Sequence, residues 1–371
     1  MIQRMTGRLA VTYHVRSDAA SIEARAQSIA VEQSVEMPLD AIDDPIVLRD
    51  IVGDVQSIDR LDDDRFVVRI SIATATIAHD AGQLLNMLFG NTSLHDDVVL
   101  HDVTFPPDVI VNFGGPNHGI PGLRRRVGVE HRALTCSALK PQGLIPDRLG
   151  LLAERFAGGK IDYIKDDHGL ADQPYSRFGD RVRACAAGVA RAVQVTGHPT
   201  RYVPSLSGNL NAMRQQIGLA RDLGIDCVLL APLIAGFANM QALVAEFPDM
   251  AFFAHPSLGG AARIAPALLI GTLFRLIGAD AVIFPNYGGR FGYSPDTCRQ
   301  LAHNARATDS TMRPSLPVPA GGMTLQRTPE LLDFYGPDAM LLIGGNLLLA
   351  RERLTEATAA FTSAVATHDY R

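Results

Sequence analysis

Apolar and polar residues alternate in short blocks along the first part of the chain. Residues 8–16 (RLAVTYHVR) and 65–74 place apolar side chains at every second position, which predicts strands, and the β-prone stretch 51–60 reads as another. Residues 21–34 and 77–89 place them at helical spacing, and 98–111 read as a final extended segment. The resulting order, βαββαβ, predicts a ferredoxin-like α+β domain over residues 1–125. The stretch 112–119 (NFGGPNHG) is rich in turn formers and marks the boundary. From residue 133 the pattern changes to short, mainly apolar runs: 133–138, 161–164, 202–206, 227–231, 251–254, 281–284, 316–319 and 340–343. Helical patterns such as 149–156, 181–195 and 213–223 lie between them. Eight βα repeats over roughly 240 residues are the size of a TIM barrel. The prediction is therefore an α/β protein with a C-terminal (β/α)8 TIM barrel over 126–371; a doubly wound sheet is the alternative.

Composition narrows the class of protein. The chain has 371 residues, 47% hydrophobic and 20% charged, with a formal net charge of -5, so it carries no basic excess suited to nucleic acid or to a membrane surface. The four cysteines are dispersed without a Cys-x-x-Cys pair, which suggests neither a zinc site nor a disulfide framework. No apolar run approaches the ~18 residues of a membrane span, and no secretory pattern opens the chain. The expectation is a cytoplasmic enzyme.

Barrel chemistry gathers where strands end, so those positions are considered together. The strand ends carry Lys140 and Gln142, then 165–168 (KDDH), 205–209, Pro232, His255 with Ser257, 286–290, Gly321-Gly322, and Gly344-Gly345-Asn346. Glycines after the last two strands suit a phosphate site, because a bare backbone lets an anion reach the N–H groups. They also suit ordinary tight turns. Lys165, Asp167 and His168 are compatible with a metal cluster, a structural ion pair or an acid/base site. Strand alternation puts Lys165 and Asp167 on one face and turns Asp166 away. Ser205, Ser207 and Asn209 suit sugar hydroxyls or plain turn chemistry. His118, His101, His131, His198 and His303 fall outside the strand-end set and are assigned structural roles.

Taken in order, these groups carry a resemblance. Residues 139–144 (LKPQGL), 158–168 (GGKIDYIKDDH), the His255 strand and the two glycine pairs are similar to the large chain of ribulose bisphosphate carboxylase. So are 31–34 (VEQS), 89–91 (FGN) and 114–121 (GGPNHGIP) in the N-terminal part. The resemblance implies that Lys165 captures CO2 as a carbamate and that the carbamate and Asp167 hold Mg2+, with His168 at the place of the next ligand, either a weaker metal ligand or a residue turned to acid/base work. It implies that Lys140 transfers protons and that His255 is the active-site histidine of the fifth barrel strand. It further implies that Glu32 and Asn91 reach the barrel of a neighbouring subunit, so that a homodimer shares its active sites.

The departures redirect the expected reaction. His168 stands where the carboxylase has a glutamate, removing one anionic oxygen ligand from a site for a hard cation. The segment 288–292 (GGRFG) holds Arg290 but no lysine to polarise CO2, so carboxylation is not expected. The glycine phosphate site survives as Gly321, Gly322, Gly344 and Gly345. The carboxylase's second phosphate site maps to Pro256, Phe284 and Ala320, none of which has a side-chain donor for an anion. The resemblance is thus to RuBisCO-like proteins that act on substrates with one phosphate and one apolar end, the methylthio-sugar phosphates of methionine salvage. The implied reaction is isomerisation of 5-methylthioribulose 1-phosphate to methylthioxylulose or methylthioribulose 5-phosphate through a Mg2+-stabilised enediolate. The alternatives are enolisation of 2,3-diketo-5-methylthiopentyl 1-phosphate, decarboxylation of a sugar-acid phosphate such as 3-oxo-isoapionate 4-phosphate, with Arg290 or Lys140 receiving the carboxylate, and non-catalytic sugar-phosphate binding.

Overall fold

The computed structural model describes residues 7–308 and 311–370. Its N-terminal part is an antiparallel sheet of β1 (Arg8–Arg16), β2 (Asp54–Arg60), β3 (Arg65–Ala73) and β4 (Val98–Thr104) in the order β2-β3-β1-β4. Alternate residues of β1, namely Leu9, Val11, Tyr13 and Val15, are buried. Two helices, α1 (Ile22–Glu32) and α2 (Ala81–Phe89), contribute Ala26, Ile29, Leu84 and Leu88 to the same core. Asp80 caps α2 by accepting the Gln83 N–H at 2.7 Å. The order βαββαβ and the sheet order are those of the ferredoxin-like domain expected.

Two segments differ from expectation. The stretch read as extended through 98–111 stops at Thr104, and Pro107–Phe113 forms helix α3. Proline in the first helical turn and Asp108 beside it favour helix initiation over continued strand. The turn-rich boundary then runs into α4 (Gly119–Val127), whose 119–127 span crosses the expected division at 125/126. We propose the positive-φ pair Gly114-Gly115 as the division instead.

The C-terminal part contains all eight expected strands: β5 (Leu134–Leu139), β6 (Tyr163–Asp166), β7 (Arg201–Val203), β8 (Cys227–Leu230), β9 (Ala251–Ala254), β10 (Ala281–Pro285), β11 (Leu316–Ala320) and β12 (Met340–Leu342). They form two parallel ladders, β12-β5-β6-β7 and β8-β9-β10-β11. The first and last barrel strands pair, Met340 opposite Leu134, which an open doubly wound sheet does not do. Leu206 N–H to Leu229 O (2.8 Å) and Leu229 N–H to Pro204 O (2.9 Å) join the ladders on one side, and β11 packs beside β12 on the other. The sheet therefore closes into a barrel.

Alternate strand residues fill the barrel: Leu134, Cys136, Tyr163, Val203, Leu229, Phe253, Ile283, Val318 and Leu342 form one buried cluster. Helix α4 plugs its floor with Ile120, Leu123 and Val127, and the Tyr163 hydroxyl donates to Leu123 O at 2.8 Å. Asp280 pins the plug, accepting the His118 and Gly119 N–H groups at 2.7 and 2.6 Å. With one end closed, polar side chains on the inward face of the strands converge at the other end.

Candidate active site

At the open end a cavity of about 450 Å3 is lined by Lys140, Lys165, Asp167, His168 and His255. Leu258, Ile283, Phe291 and Tyr293 also line it. Each polar group comes from the end of a barrel strand or one of the two residues after it: Lys140 from β5, Lys165 through His168 from β6, and His255 from β9. The sequence neighbours separate as alternation requires. Lys165 and Asp167 face the cavity, whereas Asp166 is fully buried against Arg181 and Tyr202.

Asp167 is the hub. Its Oδ1 accepts Lys140 Nζ at 2.7 Å, and His168 Nδ1 approaches the same oxygen at 3.4 Å. Burial would raise this carboxyl, but hydrogen bonds from His168 and Lys140 and the nearby Lys165 charge outweigh it and hold it well below the usual carboxylate range. Lys165 is only 3% exposed, and its Nζ donates to the Asp166 carbonyl at 2.7 Å. Burial lowers its pKa, opposed by the Asp167 charge. His168 stacks on His255 with ring centres 4.1 Å apart and an 11° tilt. Burial, then the Lys165 and His168 charges, push His255 down to about 2, so it is a neutral imidazole; Ser257 Oγ lies 2.8 Å from its Nδ1.

These features fit the carbamate and cation that the sequence implied. Only an uncharged amine can attack CO2, and burial favours the neutral form of Lys165. A carbamate there would add an anionic oxygen beside Asp167, with the His168 imidazole as a third donor. Among the described residues, no group of three His, Cys, Asp or Glu side chains could hold a metal ion by itself. The lysine modification is what would complete the donor set.

A second cavity of about 340 Å3 adjoins the first, and Lys140, Arg290, Gly321 and Leu342 line both. Its floor is Gly321, Gly322, Gly344, Gly345 and Asn346. Gly322 has φ +96°, and a Cβ added there would lie 3.0 Å from the Arg290 nitrogen. Bare backbone is therefore required for the loops after β10 and β11 to meet, where Arg290 N–H donates to Gly321 O at 2.9 Å. No hydrogen bond or ion pair to the Arg290 guanidinium is present among the described residues; it lies 5.5 Å over the Phe291 ring.

Other expected residues fall elsewhere. Glu32 and Asn91 line neither cavity; Asn91 Nδ2 donates to Glu32 Oε1 at 2.8 Å and to Glu36 Oε1 at 3.0 Å in the N-terminal domain. Asn209 is a helix cap, accepting the Ala212 N–H, while Ser205 and Ser207 line a separate cavity of about 210 Å3 behind the His168–His255 stack. The match of Phe284 to an inward phosphate ligand needs correction. Phe284 borders the cavity, but its ring packs on Tyr335, and it is the neighbouring Ile283 that belongs to the cluster filling the barrel interior. Because successive strand residues alternate faces, Ile283 holds the inward position, and it too lacks a donor. Phe291, Tyr293 and Leu258 were not anticipated as cavity walls. The aromatic pair flanking Gly292 in a strand-end loop was the available signal.

Fold and site together define a barrel enzyme with a lysine, carboxylate and histidine cluster between a glycine-lined cavity and an apolar one. The pattern of the ribulose bisphosphate carboxylase large chain, catalytic domain, matches residues 119–283. A protein of Rhodospirillum rubrum described as 5-methylthioribulose-1-phosphate isomerase is 61% identical over 363 residues, covering 98% of this chain and 97% of that protein. The crystal structure of a Rubisco-like protein from Rhodopseudomonas palustris superposes with a TM-score of 0.92 at 48% identity, covering 98% of this chain and 99% of that one. A 2,3-diketo-5-methylthiopentyl-1-phosphate enolase of Geobacillus kaustophilus is 32% identical, covering 76% of this chain and 70% of that protein. The chain belongs to the ribulose bisphosphate carboxylase large-chain family, among its RuBisCO-like members.

Proposed function

We propose that this protein isomerises 5-methylthioribulose 1-phosphate to a methylthioketopentose 5-phosphate and does not fix CO2. The observation that carries the reading is the 61% identity to the Rhodospirillum rubrum isomerase, which extends across both domains. The site supports it independently. A phosphate placed on Gly321, Gly322, Gly344 and Gly345, within reach of Arg290, leaves the sugar beside Lys140, Asp167 and His255. A methylthio end then meets Ile283, Phe291 and Tyr293, a largely apolar wall that suits it better than a second phosphate.

Lys165 as its carbamate, Asp167 and His168 would hold Mg2+, which supplies positive charge to polarise the oxygens of a ketose. The chain's own residues handle the protons. Moving the carbonyl from C2 to C4 requires hydrogens to leave C3 and C4 and to return at C2 and C3. We assign that transfer to Lys140, which lines both cavities. His255, neutral and fixed by Ser257, offers a hydrogen bond to a sugar oxygen without bringing a second positive charge to the cluster.

We further propose a homodimer in which Glu32 and Asn91 of each protomer face the mouth of the other, since neither lines a cavity of its own barrel. No described helix is long and apolar enough to cross a membrane; we propose a cytoplasmic enzyme. Phosphorus NMR on purified protein with Mg2+, bicarbonate and 5-methylthioribulose 1-phosphate tests the reading. The expected result is a new sugar-phosphate resonance with no release of inorganic phosphate; an unchanged spectrum from folded protein refutes the assignment.

A further inference from the structure

A second layer of buried charge lies directly beneath the site. Asp166, between Lys165 and Asp167, is fully buried and faces away from the cavity. One of its oxygens accepts Arg181 Nε at 3.1 Å and the Ser205 N–H at 3.0 Å; the other accepts the Tyr202 hydroxyl at 2.7 Å. Arg181 is fully buried as well, and its Nη1 donates to the carbonyls of Ala171 at 2.6 Å and Ser176 at 3.1 Å. Those carbonyls belong to the loop 167–177, which begins with Asp167 and His168. One carboxylate and one guanidinium thus tie together the strand that carries Lys165, the loop that carries Asp167 and His168, and the adjacent strand β7.

Stability alone does not account for this arrangement. The desolvation cost of a buried ion pair is comparable to its attraction, and apolar side chains of similar volume would hold the fold as well. What apolar packing cannot supply is direction, and a planar guanidinium fork and a carboxylate fix the angles of everything they bind. The other end of the same strand provides an internal comparison. There the partly exposed Arg132 donates to the buried Asp162 at 2.7 and 2.8 Å, a pair remote from the mouth that holds none of its loops.

We infer that Asp166, Arg181 and Tyr202 are positioning residues that set the mutual geometry of Lys165, Asp167 and His168. None of the three lines either cavity of the proposed substrate site; they act through their neighbours. The kinetic test below rests on the isomerase reading, and the exchange test does not.

The variants are Tyr202→Phe, which removes one hydrogen bond at nearly constant volume, Arg181→Lys, which keeps the charge and loses the fork, and Asp162→Asn as the structural control. Misplacing reacting groups by about an ångström costs on the order of 100-fold in rate. Tyr202→Phe and Arg181→Lys are expected to lower kcat by roughly 10- to 100-fold with KM within about threefold of wild type. Asp162→Asn is expected to lower Tm and leave kcat unchanged. By hydrogen–deuterium exchange, the Leu170 and Ser176 amides, which donate to Asp167 O and Gln173 O, are expected to lose protection in the first two variants and keep it in the third. Wild-type kcat in both Tyr202→Phe and Arg181→Lys overturns the inference, as does a fall in kcat for Asp162→Asn that matches theirs. Should Arg181→Lys fail to fold, Tyr202→Phe decides. Should wild type not turn over the substrate, the isomerase reading fails separately, and unchanged loop protection in Tyr202→Phe then overturns the positioning role.

Discussion

Truncating the apolar wall should cost the enzyme its preference for a thioether tail. Phe291 is 52% exposed, so Phe291→Ala removes a ring that contributes only partly to folding and leaves the barrel interior intact. A methylthio group presents two heavy atoms to the wall, each worth about 0.8 kcal/mol when buried, or about 1.6 kcal/mol together. Ile283, Tyr293 and Leu258 share the contact, so Phe291 accounts for about a third to a half of that energy, roughly 0.5–0.8 kcal/mol. The assay compares kcat/KM for 5-methylthioribulose 1-phosphate with that for 5-deoxyribulose 1-phosphate, which lacks the tail. Wild type should prefer the thioether by roughly 10-fold, and Phe291→Ala should narrow that ratio by about two- to fourfold. The deoxy substrate should be nearly unaffected by the variant. If both substrates lose activity equally, or if the ratio is unchanged, the tail does not lie against this wall and the assignment of the apolar cavity is wrong.

Four further outcomes follow from the geometry. Gly322→Ala must place a Cβ 3.0 Å from the Arg290 nitrogen at φ +96°, so it should raise KM by about tenfold or more through the phosphate end, with thermal stability reporting the backbone strain of about 1–2 kcal/mol. Asp167→Asn leaves Lys140 without its carboxylate and should reduce kcat by several hundredfold, on the scale of about 3–4 kcal/mol for a lost electrostatic group, while phosphate affinity measured by calorimetry stays within about threefold. With 13C-bicarbonate, wild type should show one carbamate carbon resonance that Lys165→Arg lacks. Burial tends to raise the Asp162 carboxyl, but hydrogen bonds from His198 and Arg132 outweigh it and hold it below its ordinary value. Its stabilisation should therefore be complete above about pH 4 and fade as the pH falls through the depressed folded value. Denaturant melts from pH 7 downward should show that loss in wild type, and Asp162→Asn, already about 3 kcal/mol weaker, should lack it.

The barrel was legible because burial on both faces makes most of its strands nearly continuous apolar runs, and the eight runs are spaced as βα units. The end-to-end pairing of Met340 with Leu134 leaves no local mark, so closure had to be argued from the number of units. Helices α3 and α4 were hidden by their composition: α3 carries the β-prone Val109, Ile110 and Val111, and α4 begins within a glycine- and proline-rich stretch. In the site, alternation correctly separated Lys165 and Asp167 from Asp166. The same rule, not applied to β10, would have selected Ile283 over Phe284. Arg181 was not recognisable as a partner of Asp166, because a lone arginine in a helical pattern reads as a solvated charge. Only the folded chain brings them within 3.1 Å. Phe291 and Tyr293 escaped notice because a loop has no periodicity to show which way its side chains point.

Running the reaction in D2O, with products followed by proton and carbon NMR, bears most directly on the isomerase assignment. Proton shuttling on a ketose phosphate predicts conversion of 5-methylthioribulose 1-phosphate to a 5-phosphate with deuterium at the carbons that were C2 and C3, the phosphorus remaining esterified. A folded, Mg2+- and bicarbonate-treated protein that returns the substrate unchanged, or a product carrying no deuterium, would contradict it.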